Sequence, residues 1–350
     1  VNEEMPLEIT LAAVGDILLP NSMIQSSYRS KQDLYDFEPI FRHVAPLLQQ
    51  ADLTIGNLEV PLAGRELKYT HKNNKSGFYT FNGPDELAPS LKQAGFDVLL
   101  TGNNHCMDRG IKGLMRTLDI LDQHEIAHTG TFRSQAESEL PLILNIQGIK
   151  IGILSYSKST NKIPVPVGSR WCVNLIDEAR ILRDLKEVQS QVDLTVVCPH
   201  FGQEYRHAPI LKQKNLVQRL YKHGANLILG AHPHVIQPAC TAGRNQYGIY
   251  SLGNFLSTTL MNNPSTRNGV IMMIKIAKDD SGQIYISPPQ YIPTWIRRRK
   301  GTKGISYEII PIEDKVQISH AMGLTAKERN TMNLVAKHTR SIITNKSLLL

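Results

Sequence analysis

The sequence predicts an α/β protein built around one core, and three observations predict it. Short apolar, β-branched runs alternate with segments of helical period, the pattern of βαβ units. Six of the apolar runs give way at once to clusters of Gly and polar, metal-capable side chains. No stretch reads as a linker, so a core over residues 1–278 is expected, with a C-terminal extension, 279–350, packed on it.

The elements follow in order. Residues 7–14 form an apolar run that ends on Gly15-Asp16, and residues 51–55 run into Gly56-Asn57-Leu58-Glu59. Residues 37–50 carry Phe37, Ile40, Phe41, Val44, Leu47 and Leu48 at helical spacing, which predicts a helix. A second helix is expected over 84–94, opened by Pro84. Residues 97–101 lead to Gly102-Asn103-Asn104-His105, and 110–124 repeat the helical period through Ile111, Leu114, Leu118 and Leu121. Residues 142–146 and 151–156 flank the turn at Gly148 and read as a hairpin. Helices are expected over 176–192 and 210–223. Around the second of these, 193–199 end on His200-Phe201-Gly202-Gln203-Glu204-Tyr205 and 225–229 on Gly230-Ala231-His232-Pro233-His234. Residues 248–251 lead to Leu252-Gly253-Asn254-Phe255. Segments 235–239, 247–251, 270–276 and 284–287 read as a strand meander in a second, more antiparallel sheet. Residues 306–310 read as one more strand and 326–339 as a terminal helix.

Composition narrows the function. Hydrophobic residues make up 41% of 350, enough for a sizeable core, and Gly and Pro are scattered at turns, which excludes a collagen-like or disordered chain. Net charge is +8, which favours anionic partners without choosing among them. The run Arg297-Arg298-Arg299-Lys300 with Lys303 reads as a solvated turn near a strand end. Too few aromatics interleave with it to suggest a nucleic-acid platform. Cys106, Cys172, Cys198 and Cys240 form no CxxC pair, which excludes a zinc ribbon. No stretch is long and apolar enough to span a membrane, and residues 1–6 are not a signal peptide. Val1 as the first residue suggests that an N-terminal segment has been removed.

The polar clusters sit where functional groups gather in α/β sheets, beyond the carboxyl ends of strands. His232-Pro233-His234 can bring two imidazoles to one centre if the backbone bends at the proline; two ordinary loop histidines are the competing account. Asn104 offers an amide oxygen to a metal, and His105 can hydrogen-bond a substrate or protonate a leaving group. Asn103 is expected to do turn chemistry. Asp16 is a hard-metal ligand or a turn residue, and Glu59 has less reason to cap. His200 closes a buried strand, where a satisfied core histidine is the alternative, and Glu204 could orient it. Two carboxylates, one amide and three imidazoles, besides His105, suit a site for two metals about 3.5–4 Å apart.

In this order Gly15-Asp16, Gly56-Asn57-Leu58-Glu59, Gly102-Asn103-Asn104-His105, His200 to Tyr205, Gly230 to Pro238 and Ser251-Leu252-Gly253-Asn254-Phe255 resemble the CapA family of bacterial poly-γ-glutamate capsule proteins. That family lies within the calcineurin-like metallophosphoesterase superfamily, and the resemblance runs from about residue 7 to about 255. It implies a four-layer αββα sandwich of two mixed sheets flanked by helices. Carried over by position, Asp16 and His234 would hold one metal, and Asn104, His200 and His232 the other. His105 would face the substrate, and Asn57, Asn103, Glu204 and Asn254 would support the ligands. The superfamily's first motif, Asp-x-His, is here Asp16-Ile17-Leu18, so one histidine ligand is absent and the first metal is expected to bind more weakly. Asn57 stands where the bridging Asp would be, and Glu59 is expected to take over the bridge. The implied cofactors are one or two divalent ions of Mn, Fe or Zn.

The implied function is a divalent-metal-dependent phosphoesterase-like protein acting in poly-γ-glutamate or capsule biosynthesis or export. Its partners would be a phosphoester or anionic polymer and membrane capsule-synthesis proteins. It would work at the bacterial cell envelope, extracytoplasmic and membrane-associated, if a removed N-terminal segment was an anchor or signal, and in the cytoplasm otherwise. A non-catalytic assembly factor that binds anionic polymer or membrane partners is a second reading. A nucleic-acid phosphodiesterase is a third, favoured by the charge but supported by no specific nucleic-acid module.

Overall fold

One strand shows how the layers arise. In β1 (Leu7–Ile17), Ile9, Leu11 and Ala13 face one apolar core while Ala12 and Val14 face another, the period-two alternation of a strand buried on both sides. The computed structural model describes residues 7–313 and 322–349, apart from 76 and 303. The expectations for residues 1–6 and for Lys303 lie outside the described residues.

In chain order the other strands are β2 (Tyr28–Arg29) and β3 (Leu34–Tyr35), a small hairpin; β4 (Leu53–Leu58); β5 (His71–Lys72) and β6 (Tyr79–Thr80), a second hairpin; β7 (Val98–Leu100); β8 (Ala127–Thr129); β9 (Leu142–Ile146); β10 (Ile149–Ser157); β11 (Leu194–His200); β12 (Leu227–Leu229); β13 (Ala239–Gly243); β14 (Gln246–Ile249); β15 (Asn254–Leu256); β16 (Asn268–Lys278); β17 (Ile284–Ile286); β18 (Gln290–Gly301); and β19 (Gly304–Pro311). The first sheet has the order β19-β18-β16-β1-β4-β7-β8, with β15 beside β1 and β17 beside β16. The second has the order β13-β14-β12-β11-β10-β9. β1, β4, β7 and β8 run parallel, as do β10, β11, β12 and β14, while β9, β13 and β16 are antiparallel to their neighbours, so both sheets are mixed.

Leu11, Leu53 and Val98 of the first sheet belong to one core with Ile151, Val196 and Leu227 of the second. The outer face of the second sheet, through Tyr156, Val197 and Ile228, packs on helices Glu178–Gln189 and Leu211–Lys222. The outer face of the first packs on helix Leu87–Ala94 and the segment around Phe41. This is the expected four-layer αββα sandwich. β18 and β19 extend the first sheet through β16, and helix Ala326–Ile343 lays Met332, Val335 and Ala336 against Trp295 and Ile310. No helix among the described residues is long and apolar enough to cross a membrane.

Three local readings change. The helix expected over 37–50 is two short ones, Glu38–Phe41 and Ala45–Leu48. Pro46 has no N–H to give, and its ring collides with the carbonyl four residues back, so the helix must restart there. The meander expected in one sheet divides between two: β13 and β14 close the second sheet, whereas β16 and β17 belong to the first, and the strand expected over 235–239 lies later, at Ala239–Gly243. Residues 251–253 carry the chain across, with Gly253 at a φ of +69°. In the basic run, Arg298 to Lys300 are exposed, but Arg297 is buried. Its Nε donates to Glu308 Oε2 at 2.8 Å and its Nη1 to the Met322 carbonyl at 3.1 Å, so the charge is paired inside the fold.

Candidate metal centre

The carboxyl ends of the parallel strands in both sheets meet at one place. Asp16 on β1 pairs in register with Asn57 on β4 and with Asn254 on β15. His200 is the last residue of β11, and Ala231, in the loop after β12, bridges to it. Gly15 makes the approach possible: a Cβ there would lie 1.9 Å from the Gly253 carbonyl oxygen, which accepts a 3.0 Å bond from the Asp16 amide. His232 and His234 take φ values of +100° and +59°, which side-chain-bearing residues rarely adopt. The bend expected around Pro233 is therefore bought with backbone strain, of the kind that concentrates at functional sites.

Asp16, Asn57, Glu59, Asn103, Asn104, His105, His200, His232, His234 and Asn254 are all buried here. Five of them form two sets that share Glu59. In one, Glu59, His200 and His232 each offer a ligand atom within 4.8 Å of the others, and in the second Asp16, Glu59 and His234 do the same. Asn104 joins the first set, its Oδ1 2.6 Å from His200 Nε2, while His232 Nδ1 lies 3.1 Å and Glu59 Oε1 3.4 Å from that same nitrogen. Ligand atoms held about 2.1 Å from one metal sit about 3.0–3.4 Å apart, so most of these separations are those of a coordination shell. In the second set, His234 Nδ1 is 3.3 Å from Asp16 Oδ2 and its Nε2 is 3.8 Å from Glu59 Oε1.

The donor set passes a direct test of fit. Both Glu59 oxygens and His232 Nε2 are buried without a hydrogen-bond partner. A buried carboxylate left so costs several kcal/mol, and a divalent cation between the two sets would satisfy it.

The supporting residues divide. Asn57 Nδ2 lies 2.7 Å from Asp16 Oδ1 and 3.3 Å from His200 Nδ1, so an uncharged donor stands between one member of each set. Asn103 does turn chemistry: its Oδ1 accepts from the His105 amide at 3.1 Å, and its Nδ2 donates to the Leu58 carbonyl at 2.7 Å. Asn254 places its Oδ1 3.0 Å from His234 Nδ1 and donates through Nδ2 to the Thr266 carbonyl. Glu204 is half-buried and makes no hydrogen bond to His200; Asn57 occupies that place. Leu18 is buried, yet unlike Ile17 and Leu19 it joins none of the apolar clusters among the described residues.

Electrostatics follow from burial. Burial and the Asp16 charge push the Glu59 carboxyl well up. Burial also pushes Asp16 up, but its bond to His234 and the neighbouring imidazoles outweigh this and hold it low. Burial keeps His200 neutral, at about 3, and depresses His232 likewise. For His234, burial is overcome by Glu59 and Asp16, which lift it to about 10. Without a cation, then, His234 keeps its proton at neutral pH, Glu59 holds one more tightly than a free carboxyl does, and Asp16 carries the charge.

Three residues escaped the sequence reading. Asp108 Oδ2 lies 2.7 Å from His105 Nδ1 and, against the effect of burial, raises the proton affinity of that imidazole. Its spacing, three residues after His105 in a turn, was the signal that could have found it. Asn161 Oδ1 accepts from Asn104 Nδ2 at 3.2 Å, and its Nδ2 is 3.5 Å from His105 Nε2. Lys158 bonds the Gly202 carbonyl at 2.8 Å, and its charge opposes protonation of both His200 and His232. Neither of these last two has a motif, because both come from the loop after β10.

Comparison with known proteins gives the family and the fold. The family model described as bacterial capsule synthesis protein PGA_cap matches residues 10–259. The capsule biosynthesis protein CapA of Bacillus anthracis is 28% identical over 256 residues, 71% of this chain and 60% of that protein. The PGA biosynthesis protein CapA of Bacillus subtilis is 25% identical over 281 residues, 80% of this chain and 71% of that one. Among solved structures, a Staphylococcus aureus protein assigned as a 5′-nucleotidase shares the fold, with a TM-score of 0.51 at 12% identity over 95% of this chain and 58% of that chain. A calcineurin-like phosphoesterase from Bacillus subtilis, YfkN, aligns with a TM-score of 0.47 at 14% identity, over 95% of this chain and all of that one.

Proposed function

Because the chain belongs to the bacterial capsule synthesis protein family PGA_cap, we propose that it is a divalent-metal-dependent phosphoesterase-like protein of capsule or poly-γ-glutamate biosynthesis. One observation carries the chemical half of this reading. Glu59 presents two unpartnered, buried oxygens between two ligand sets, and this is the arrangement a pair of cations would complete. The mixture of imidazole and oxygen ligands suits Mn, Fe or Zn. Asn104, His200 and His232 would hold one ion, Asp16 and His234 the other, with Glu59 shared.

When bound, such ions supply positive charge that polarises a phosphoryl group and lowers the pKa of water. The protein's own part is orientation and proton handling. Asp108 fixes His105 through Nδ1, which leaves Nε2 as the free ring nitrogen, on the side of Asn161. With its proton affinity raised, His105 can carry a proton at Nε2 and give it to a leaving oxygen. Asn104, held by Asn161 through its amide nitrogen, keeps its oxygen directed at His200.

Asn57 and Leu18 favour a second reading, a chain that keeps the fold and a metal but serves as an assembly factor at the cell envelope. One experiment separates the two. Metal-loaded protein is assayed on a panel of phosphoesters beside His105→Ala. The hydrolase reading expects full metal content in the variant and a rate lower by roughly 10²–10⁴-fold. Metal bound but no ester cleaved supports the assembly factor. A variant that loses its metal contradicts the role given to His105.

A further inference from the structure

Residues 158–170 read Lys-Ser-Thr-Asn-Lys-Ile-Pro-Val-Pro-Val-Gly-Ser-Arg, three cations and no carboxylate. This segment leaves the end of β10, where Ser157 pairs with His200, and passes over the ligand cluster at Asn161. Lys158, at its start, donates through Nζ to the Gly202 carbonyl at 2.8 Å, two residues past His200. Past Asn161 the same segment becomes one wall of an open groove of about 760 Å³, whose other wall is the first half of helix Glu178–Gln189.

Lys162, Arg170, Arg180 and Arg183 line this groove against one acid, Asp177. Asp177 is already engaged, its Oδ1 accepting from the Arg180 amide at 2.9 Å as the helix N-cap. Arg180 Nε lies 3.6 Å from Asp184 Oδ2, a weak pair. Arg170 and Arg183 are exposed, and neither pairs with an acid among the described residues. Four like charges gathered with little internal compensation make a surface that negative ligand charge would relieve. Among the described residues none that lines the groove is aromatic, and the Phe78 ring beside it is covered by Lys162 at 5.6 Å, so the groove offers no row of rings of the kind single-stranded nucleic acids stack on. Guanidinium forks, in contrast, match carboxylates in two-pronged geometry.

We propose that this groove binds an extended acidic polymer, a chain of carboxylates, and leads it along residues 158–170 to the cluster at Glu59 and His105. The choice of polymer rests on the capsule reading above; the position and polarity of the track rest on the groove itself.

The test uses fluorescently labelled poly-γ-glutamate as probe, with binding followed by anisotropy at low salt, with and without Mn²⁺. Wild type is compared with Arg170→Glu/Arg183→Glu. The control, Arg299→Glu/Lys300→Glu, makes the same change in net charge on β18, outside the lining of the groove. All four positions are exposed, and circular dichroism checks that both variants fold. The groove variant should bind about tenfold or more weakly, the control much as wild type. A single-stranded DNA of matched charge should bind wild type more weakly than the polymer does. Equal losses in the two variants, no loss in either, or tighter binding of the DNA would overturn the proposal. Metal content is measured on the same samples, so a failure of the metal reading is seen separately: groove-dependent binding by a protein that takes up no metal would leave this inference standing and remove the other.

Discussion

Glu59 is the residue on which the site turns. It is buried, is shared by both ligand sets and lacks any hydrogen-bond donor. Its proton affinity is raised above the ordinary 4.5, and that of His234 above 6.5, to about 10. Both shifts are upward. What these groups contribute to the metal-free fold is therefore complete below those ordinary values and is lost as pH climbs through the raised ones. A cation must displace those protons. Metal uptake near pH 7 should release protons, and apparent affinity should rise with pH; calorimetry in two buffers of different ionisation enthalpy reads both. An uptake that releases none would mean that neither Glu59 nor His234 is a ligand. Asn57 gives a second prediction. Asn57→Asp adds a carboxylate beside Asp16, 2.7 Å from the present amide nitrogen. The metal-free variant should melt lower, from like-charge repulsion, while its metal affinity should rise by about tenfold. Thermal melts with and without Mn²⁺, joined to a metal titration, check both signs. His200, His232 and His234 could be read in the sequence because each follows an apolar strand, and Glu59 because it had no capping role to play. Asp108 could have been found from its place three residues after His105, but Asn161 could not, since its importance is that it touches His105, and that contact is made by the fold.

At the scale of the element, glycine and proline decide the geometry. Gly15 lets β1 lie against the crossover at Gly253, where any side chain would meet backbone. Gly15→Ala should cost about 3 kcal/mol or more and shift Asp16 out of place, whereas Gly168→Ala, whose Cβ would enter open space, should change stability by less than about 0.5 kcal/mol. Denaturant unfolding of the two variants measures the contrast, and similar small effects would mean that the crossover yields. Strands ending in polar clusters were legible because burial on both faces leaves continuous apolar runs. The hairpin of β9 and β10 was legible too: Gln147 and Gly148 both take positive φ, as its two-residue turn needs. The break at Pro46 was written in the sequence but masked by apolar spacing, since Val44 and Leu48 face the core whether or not the helix is continuous. The division of β13, β14, β16 and β17 between sheets was not legible, because strand pairing is set by which edge is free and not by the strand's own residues.

For the whole molecule, two mixed sheets packed face to face bring six strand ends to one rim, and that is why residues from Asp16 to Asn254 meet. The αββα layering could be reached from motif order through family resemblance; alternating burial alone announced only α/β. The central claim is that Glu59 joins two cation sites into one. Elemental analysis of wild type and Glu59→Gln, both loaded with Mn²⁺ and freed of excess, tests it most directly. Gln keeps the shape and removes the charge. The account predicts that wild type retains up to two ions per chain, unequally held, and that the variant loses the weaker and holds the other poorly. Wild-type stoichiometry in a folded Glu59→Gln protein would contradict it.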